Sequence, residues 1–176
     1  MQAPQHLPPA LTPSIRRISL GGDSHEKESP GVPLICKSIH ISASPEDVFN
    51  YVTNSSTQPD WITFIREVEI TSGDGKSEGT TDRCLFKLGP RAQTLDAVWT
   101  EYDPPRAFAR KATSGLEMEG RMTFDLRDGQ THAEWTIEYE PPMGPLGALL
   151  DALFMNRVFQ NEMEESLESL KAQLEG

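Results

Sequence analysis

The C-terminal part of the chain predicts one long amphipathic helix, and a run of strands precedes it. Apolar residues recur at helical spacing from Leu146 to Leu174. Strands joined by short turns form an antiparallel sheet with one dry face, and a helix of this length must cover that face. The predicted strands, which are separated by Gly, Pro and Asp turn signals, are residues 67–72, 79–88, 92–102, 107–113, 117–126 and 131–140.

One further strand and two short helices are predicted ahead of these six strands. Residues 34–43 alternate isoleucines with polar side chains, as a strand does. Ser44 is a natural N-cap, followed by a proline and two acids, so a helix is expected from here to about Asn54. A short second helix is expected around residues 60–65 and includes Trp61. The fold class is therefore α+β, with a curved sheet of seven antiparallel strands wrapped around the C-terminal helix.

Asp128-Gly129 marks the clearest hairpin in the chain. A two-residue turn at this dipeptide fixes the pairing of the last two strands. A slip of one residue would turn apolar side chains toward acids, so the register is well specified. The turn is expected to place Phe124 opposite Ala133, Met122 opposite Trp135, Gly120 opposite Ile137, and Met118 opposite Tyr139.

A single helix cannot fill the inner side of a seven-stranded curved sheet, so an internal cavity is expected. In the middle of the apolar stripe of the helix stand Leu153, Asn156 and Gln160. Ligand cavities are mostly apolar and contain a few placed polar groups, and two amides one helical turn apart fit that description. The alternatives are that these amides bond to backbone or to each other in a filled interior, or that the helix is slightly rotated.

The same alternation predicts which side chains face this cavity. Glu101 shares the face of Trp99, and an enclosed carboxylate needs a partner, for which Arg110 on the next strand is a candidate. Alternatively, Glu101 lies in water at the end of its strand, and Arg110 points either way. The predicted ligand-binding residues are Trp99, Arg110, Met118, Met122, Phe124, Trp135, Tyr139, Leu153, Asn156 and Gln160.

The far side of the long helix is also apolar near its start. Phe154, Met155 and Val158 point away from the buried stripe. Surplus apolar surface of this kind predicts an entrance lip, a partner surface or a homodimer contact, and the sequence does not choose between them.

Charge and composition exclude several classes of partner. Residues 1–33 hold six of the fourteen prolines, show no apolar periodicity and are expected to be a disordered tail. The net charge of −11 therefore belongs to a domain of residues 34–176, which would repel nucleic acids and anionic membrane surfaces. No segment is apolar enough to be transmembrane, and the N-terminal residues lack the layout of a secretory signal. A cytoplasmic location is expected.

Few residues offer metal, redox or acid–base chemistry. Cys36 and Cys84 lack any metal-binding spacing, so two reduced thiols are expected. The alternation places His40 and His132 on the outer face of the sheet, and Glu134 shares the face of His132. A surface metal site from these three is a weak alternative, so neither a metal nor a cofactor is expected.

The chain resembles the START-related superfamily (SRPBCC), and within it the polyketide cyclase/dehydrase and lipid-transport group. The likeness covers residues 34–176 and implies a helix-grip fold in which the first and last strands pair. One departure is Gln130-Thr131, where the family usually has Gly-Thr. The matching features are IHISASPEDVF at 39–49, Trp61, EYDPPRAF at 101–108, the hairpin through Trp135, and LESLK at 167–171.

Two functional classes follow, with a third that has less support. The first is a non-enzymatic carrier or sensor of a hydrophobic small molecule or lipid. The second, implied by the resemblance, is a cyclase or aromatase that folds a polyketide-like substrate in the cavity, with Tyr139 and Glu101 handling protons. The third is a protein-interaction module that uses the apolar start of the long helix. Because no catalytic constellation is evident, the first class is favoured.

Overall fold

A computed structural model describes residues 34–87, 92–140 and 148–176, with side chains described from residue 155 onward in the last range. The predicted tail, residues 1–33, lies outside the described residues. The elements are β1 (Leu34–Ile41), α1 (Pro45–Thr53), α2 (Gln58–Trp61), β2 (Ile65–Ser72), β3 (Thr81–Phe86), β4 (Gln93–Asp103), β5 (Ala107–Ala112), β6 (Met118–Arg127), β7 (Gln130–Tyr139) and α3 (Ala148–Glu175).

The seven strands form one antiparallel sheet in the order β1-β7-β6-β5-β4-β3-β2. Strands β2 to β7 are a meander in which each strand pairs with its neighbour in sequence. Strand β1 pairs with β7, with Leu34 opposite Glu138 and Ile41 opposite Thr131. The predicted α+β helix-grip architecture and the pairing of first and last strands are confirmed.

The hairpin between β6 and β7 has the predicted turn and register. Asp128 and Gly129 both have positive φ, 51° and 81°, as a type I′ turn requires. All four predicted apolar pairs occur, from Phe124 opposite Ala133 to Met118 opposite Tyr139. Turn chemistry and alternation therefore sufficed to place the two strands that carry much of the buried face.

The two short helices differ in how closely they match expectation. Helix α1 is capped as predicted, since Ser44 Oγ accepts a hydrogen bond from the backbone N–H of Asp47 at 3.1 Å. Helix α2 spans Gln58–Trp61 rather than the expected 60–65, so that prediction was wrong in its bounds. Proline suits the first turn of a helix, and Pro59 lies there. The chain then turns into β2 at Ile65.

The long helix α3 is fixed to the rest of the domain by polar contacts along its C-terminal half. The backbone N–H of Thr63, between α2 and β2, donates to Ser166 Oγ at 3.0 Å, and its hydroxyl lies 2.6 Å from Glu162 Oε2. Lys37 on β1 lies 2.9 Å from Glu164. Met163, Leu167 and Leu170 are buried beneath these contacts, as the periodicity predicted.

Aromatic rings fill much of the space between α3 and the sheet. Phe64 stacks on Trp135, with ring centroids 6.1 Å apart, and meets Phe159 of α3 edge to face at 6.3 Å. Trp61 approaches Trp135 from α2 at 5.5 Å. No helix within the described ranges combines the length and the apolar character needed to cross a membrane.

The two histidines of the domain face each other across β1 and β7, on the outer face as predicted. His40 is directly opposite His132, and their ring centroids are 4.9 Å apart. His40 is exposed, whereas His132 is 8% exposed and its Nδ1 has no hydrogen-bond partner among the described residues. The pKa of His132 is lowered mainly by burial, and Arg127 and His40 lower it further. Glu134 and Asp125 oppose this shift.

We expect the domain to lose stability as the pH falls from about 7.5 to about 5.5. An unfolded histidine takes up a proton near pH 6.5, whereas folded His132 resists protonation, so acid favours the unfolded state. His132→Gln should flatten the pH dependence of the urea-unfolding free energy in this window. A slope equal to that of the wild type would contradict the assignment.

Candidate functional site

A small apolar cavity lies between the inner face of the sheet and helices α1 and α2. Its volume is about 60 Å³. Its walls are mainly aliphatic and aromatic, which is the usual chemistry of a ligand cavity. The lining residues are Val52, Gln58, Trp61, Ile62, Phe64, Ile65, Leu95, Ala97, Phe108, Arg110, Ala112, Met118, Gly120, Met122, Trp135 and Ile137.

Arg110 on β5 is the charged side chain in this wall. Its side chain is 17% exposed, and Nη1 lies 3.5 Å from Oδ1 of Asp82, whose side chain is fully buried on β3. Arg110 also donates to Gln58 Oε1 at 3.1 Å and to Cys84 Sγ at 3.5 Å. The other carboxylate oxygen of Asp82, Oδ2, accepts a hydrogen bond of 2.7 Å from Trp99 Nε1. Four elements, β3, β4, β5 and α2, therefore meet at one buried polar cluster.

Asp82 was missed by the sequence analysis, although the alternation contained a signal for it. Asp82, Cys84 and Phe86 all lie on the buried face of β3, two residues apart. A carboxylate at such a position is costly to bury unless it is paired, so it predicts a cation or donors nearby. Burial raises the pKa of the Cys84 thiol, with Arg110 opposing the shift, so this cysteine is a neutral packing group.

The predicted pair of Glu101 and Arg110 is wrong. Glu101 binds Arg121 on the outer side of the sheet, through two hydrogen bonds of 2.6 and 3.0 Å. The reason is a register irregularity between Trp99 and Glu101, which breaks the inward alternation of β4 just before Glu101. Glu101 therefore cannot transfer protons inside the cavity, whereas Arg110 does line it, as predicted.

The predicted inward orientation of the α3 amides is also wrong. Gln160 is exposed and donates to Asn156 Oδ1 at 2.7 Å, and Asn156 is half-buried. Neither residue lines the cavity. Phe159 is fully buried instead, so the helix is rotated relative to the predicted stripe. The rotated helix was one of the alternatives, and the two amides do bond to each other, but at the surface rather than in a filled interior.

The other predicted ligand-binding residues divide into two groups. Met118, Met122 and Trp135 line the cavity together with Arg110. Trp99, Phe124 and Tyr139 are buried in the core beside it, with 1–2% exposure, and are absent from its wall. The side chain of Leu153 lies outside the described residues.

Tyr139, the candidate proton donor, borders a neighbouring groove rather than the cavity. Its ring lies 5.0 Å from that of Phe159, and burial raises the pKa of its hydroxyl. The groove has a volume of about 470 Å³ and shares Ala112 and Met118 with the cavity. A molecule that extends from the cavity past Met118 would thus reach Tyr139.

Four glutamates border the same groove, and we call them the acidic rim: Glu117, Glu119, Glu138 and Glu140. Glu119 is directly opposite Glu138, and Lys111 lies 3.8 Å from Glu119. Like charges held in pairs favour a hydrated surface. Within the part of the chain that the structure describes, no group of three or more side chains is arranged to hold a metal ion.

The apolar start of α3 is only partly described. Met155 packs against the core and Val158 is half-buried, while the side chain of Phe154 lies outside the described residues. The homodimer contact through these residues stays a prediction.

Comparison with known families gives a match over most of the chain. Residues 35–175 match the family described as polyketide cyclase / dehydrase and lipid transport. The chain belongs to this family. No match was found among curated proteins.

Solved structures share the fold at low sequence identity. A protein from Thermus thermophilus is 19% identical with a TM-score of 0.70, covering 81% of this chain and 97% of that one. An aromatase/cyclase from Streptomyces sp. R1128 is 14% identical with a TM-score of 0.71, covering 82% and 94%. A START superfamily protein from Mycobacterium smegmatis is 15% identical with a TM-score of 0.65, covering 81% and 97%.

Family and fold together support one of two roles for this chain, hydrophobic-ligand binding or a polyketide cyclase-type activity. They do not distinguish between these roles.

The buried pair of Asp82 and Arg110 gives a direct test of the cavity wall. We expect Asp82→Asn to lower the urea-unfolding free energy by roughly 3–5 kcal/mol, because it leaves a buried guanidinium without its counter-charge. Asp96→Asn is the matched control, since Asp96 on β4 pairs with Arg83 on β3 at the exposed face of the sheet. Its loss should be much smaller, because water screens exposed ion pairs. Equal losses would contradict the assignment.

Proposed function

We propose that this protein binds a hydrophobic small molecule or lipid in the cavity between the sheet and helices α1 and α2, as a carrier or sensor in the cytoplasm. The observation that carries the proposal is the wall itself, which is apolar except for a few polar side chains fixed by buried contacts. Such a wall recognises shape and one or two polar atoms of a ligand.

The chemistry of the wall favours binding over catalysis. Among the described lining residues, Arg110 is the titratable group, and arginine is a poor proton donor. Glu101 faces outward, as shown above. A carrier needs no proton transfer, so the described wall meets its requirements.

A cyclase remains the second candidate because of one geometric observation. The cavity and the groove share Met118, and Tyr139 borders the groove. A substrate folded through both would lie beside Tyr139, whose hydroxyl is protonated at neutral pH because tyrosine ordinarily titrates near pH 10, and burial raises that pKa further. Tyr139→Phe separates the two roles, since a carrier keeps most of its ligand affinity and a cyclase loses rate at similar binding.

The size of the cavity sets a condition on binding. Ligand pockets usually enclose about 300–1,000 Å³, whereas this cavity has about 60 Å³. A ligand larger than a few atoms therefore needs side chains of the wall to move. Met118 and Met122 are suited to this, because unbranched thioether side chains repack easily.

Gly120 on β6 lines the cavity and has room for a Cβ atom. A Cβ built there meets Trp135 Nε1 at 3.7 Å and Thr136 O at 4.0 Å, which are ordinary contacts. We expect Gly120→Val to raise the unfolding free energy by about 1 kcal/mol, because it fills a void and removes a strand glycine. It should also abolish binding of the fluorescent probe N-phenyl-1-naphthylamine.

Thr123→Val is the matched control, since Thr123 lies on the same strand and does not line the cavity. It should leave probe fluorescence unchanged. Undiminished probe binding by Gly120→Val would place the ligand elsewhere.

Native mass spectrometry of the protein as purified tests whether it retains a ligand. A defined extra mass that is lost in Trp135→Ala and kept in Asn156→Leu is the expected result, because Trp135 lines the cavity and Asn156 does not. An extra mass that survives Trp135→Ala would oppose the assignment.

A further inference from the structure

One polar group in the cavity wall, the indole N–H of Trp61, is a buried hydrogen-bond donor without an acceptor in the described part of the chain. Trp61 is 2% exposed, lines the cavity, and has no acceptor for its indole N–H among the described residues. Trp99 is buried to the same degree, yet its N–H donates to Asp82 at 2.7 Å. Because buried donors are almost always paired, the unpaired N–H of Trp61 marks a position where a partner is missing.

Arg110 adds further donors beside Trp61. Its guanidinium carries five N–H groups, of which one donates to Gln58 and one to Cys84. Gln58 and Trp61 are one turn apart on α2, so the same short helix holds Arg110 and presents the indole. The amide of Gln58 is occupied at both ends, since its Nε2 donates to Val52 O at 3.4 Å.

Charge excludes an ionised ligand from this position. Asp82 already neutralises Arg110 at 3.5 Å, so a buried anion would add an uncompensated charge. The acidic rim and the net charge of −11 oppose the approach of an anion. A cation would meet N–H donors and the guanidinium, which repel it.

We propose that the ligand is an uncharged apolar molecule that carries a carbonyl oxygen, and that this oxygen accepts a hydrogen bond from Trp61 N–H beside Arg110. This inference rests on the proposed function, because it names the ligand class of the same cavity. A ketone, ester or amide oxygen supplies the acceptor that the Trp61 N–H lacks. A carbonyl oxygen carries no net charge and no hydrogen-bond donor, so it leaves no new group without a partner.

Three small probes of similar shape test whether the Trp61 N–H binds a carbonyl oxygen. Acetophenone, ethylbenzene and benzoate share a benzene ring and differ in the polar group. They would be titrated at neutral pH into ¹⁵N-labelled protein, whose three tryptophans give three indole N–H signals. Loss of one signal in Trp61→Phe assigns Trp61, and Trp99 serves as the internal control because its N–H is already bonded.

Acetophenone should bind about 3- to 10-fold more tightly than ethylbenzene, which is the usual net effect of one hydrogen bond. It should move the Trp61 indole proton downfield and leave the Trp99 proton nearly unchanged. Benzoate should bind more weakly than acetophenone. In Trp61→Phe, the ratio of acetophenone affinity to ethylbenzene affinity should fall by the same 3- to 10-fold factor, whatever the change in wall shape does to both probes.

Two results would overturn the inference and leave the proposed function standing. One is equal binding of acetophenone and ethylbenzene with no movement of the Trp61 signal, which would mean that the N–H is satisfied by the Trp135 ring, 5.5 Å away. The other is tightest binding by benzoate, which would mean that Arg110 recognises an anion. If none of the three probes binds, the proposed function fails as well.

Discussion

One helix packs against a sheet of seven strands, and this mismatch in area shapes the rest of the structure. Buried surface of α3, from Phe159 to Leu170, covers only part of the inner face. Aromatic rings from the α2–β2 region and from β7 cover much of the remainder, with Phe64 lying against both Trp135 and Phe159. What the rings leave is the cavity. The cavity is small because these aromatic side chains, together with α1 and α2, occupy most of the space over this part of the sheet.

Burial makes polar groups near the cavity costly unless they are paired. One cluster of buried polar side chains is held together by contacts that join three strands and α2. Its members are Asp82, Trp99, Arg110 and Gln58. The cluster therefore fixes one part of the wall, while Met118 and Met122 on the neighbouring strand β6 supply a part with more conformational freedom. A binding site benefits from this division, because a rigid polar end orients a ligand and a soft apolar end adapts to it.

The sequence predicted the features that depend on strong local signals. The Asp128-Gly129 turn set the β6–β7 register, and the Ser44 cap set the start of α1. The site was predicted less well, because its residues depend on local departures from regular geometry. A register irregularity after Trp99 turns Glu101 outward. A small rotation of α3 places Phe159, rather than Gln160, on the buried face of the helix. Asp82 could have been found from its buried alternation, whereas the bond from Arg110 to Gln58 joins residues far apart in sequence and has no local signature.

The pairing of the first strand with the last has a consequence for how the chain acquires its structure. Leu34 pairs with Glu138 and Ile41 with Thr131, so about a hundred residues separate strand partners that are neighbours in space. A ribosome adds about 5–20 residues per second, so roughly 5–20 s pass between the synthesis of β1 and the synthesis of β7. Throughout that interval β1 is an unpaired strand with apolar side chains on one face. Closure of the sheet is therefore a late, long-range step, of the kind that slows folding and makes nascent chains dependent on protection from aggregation.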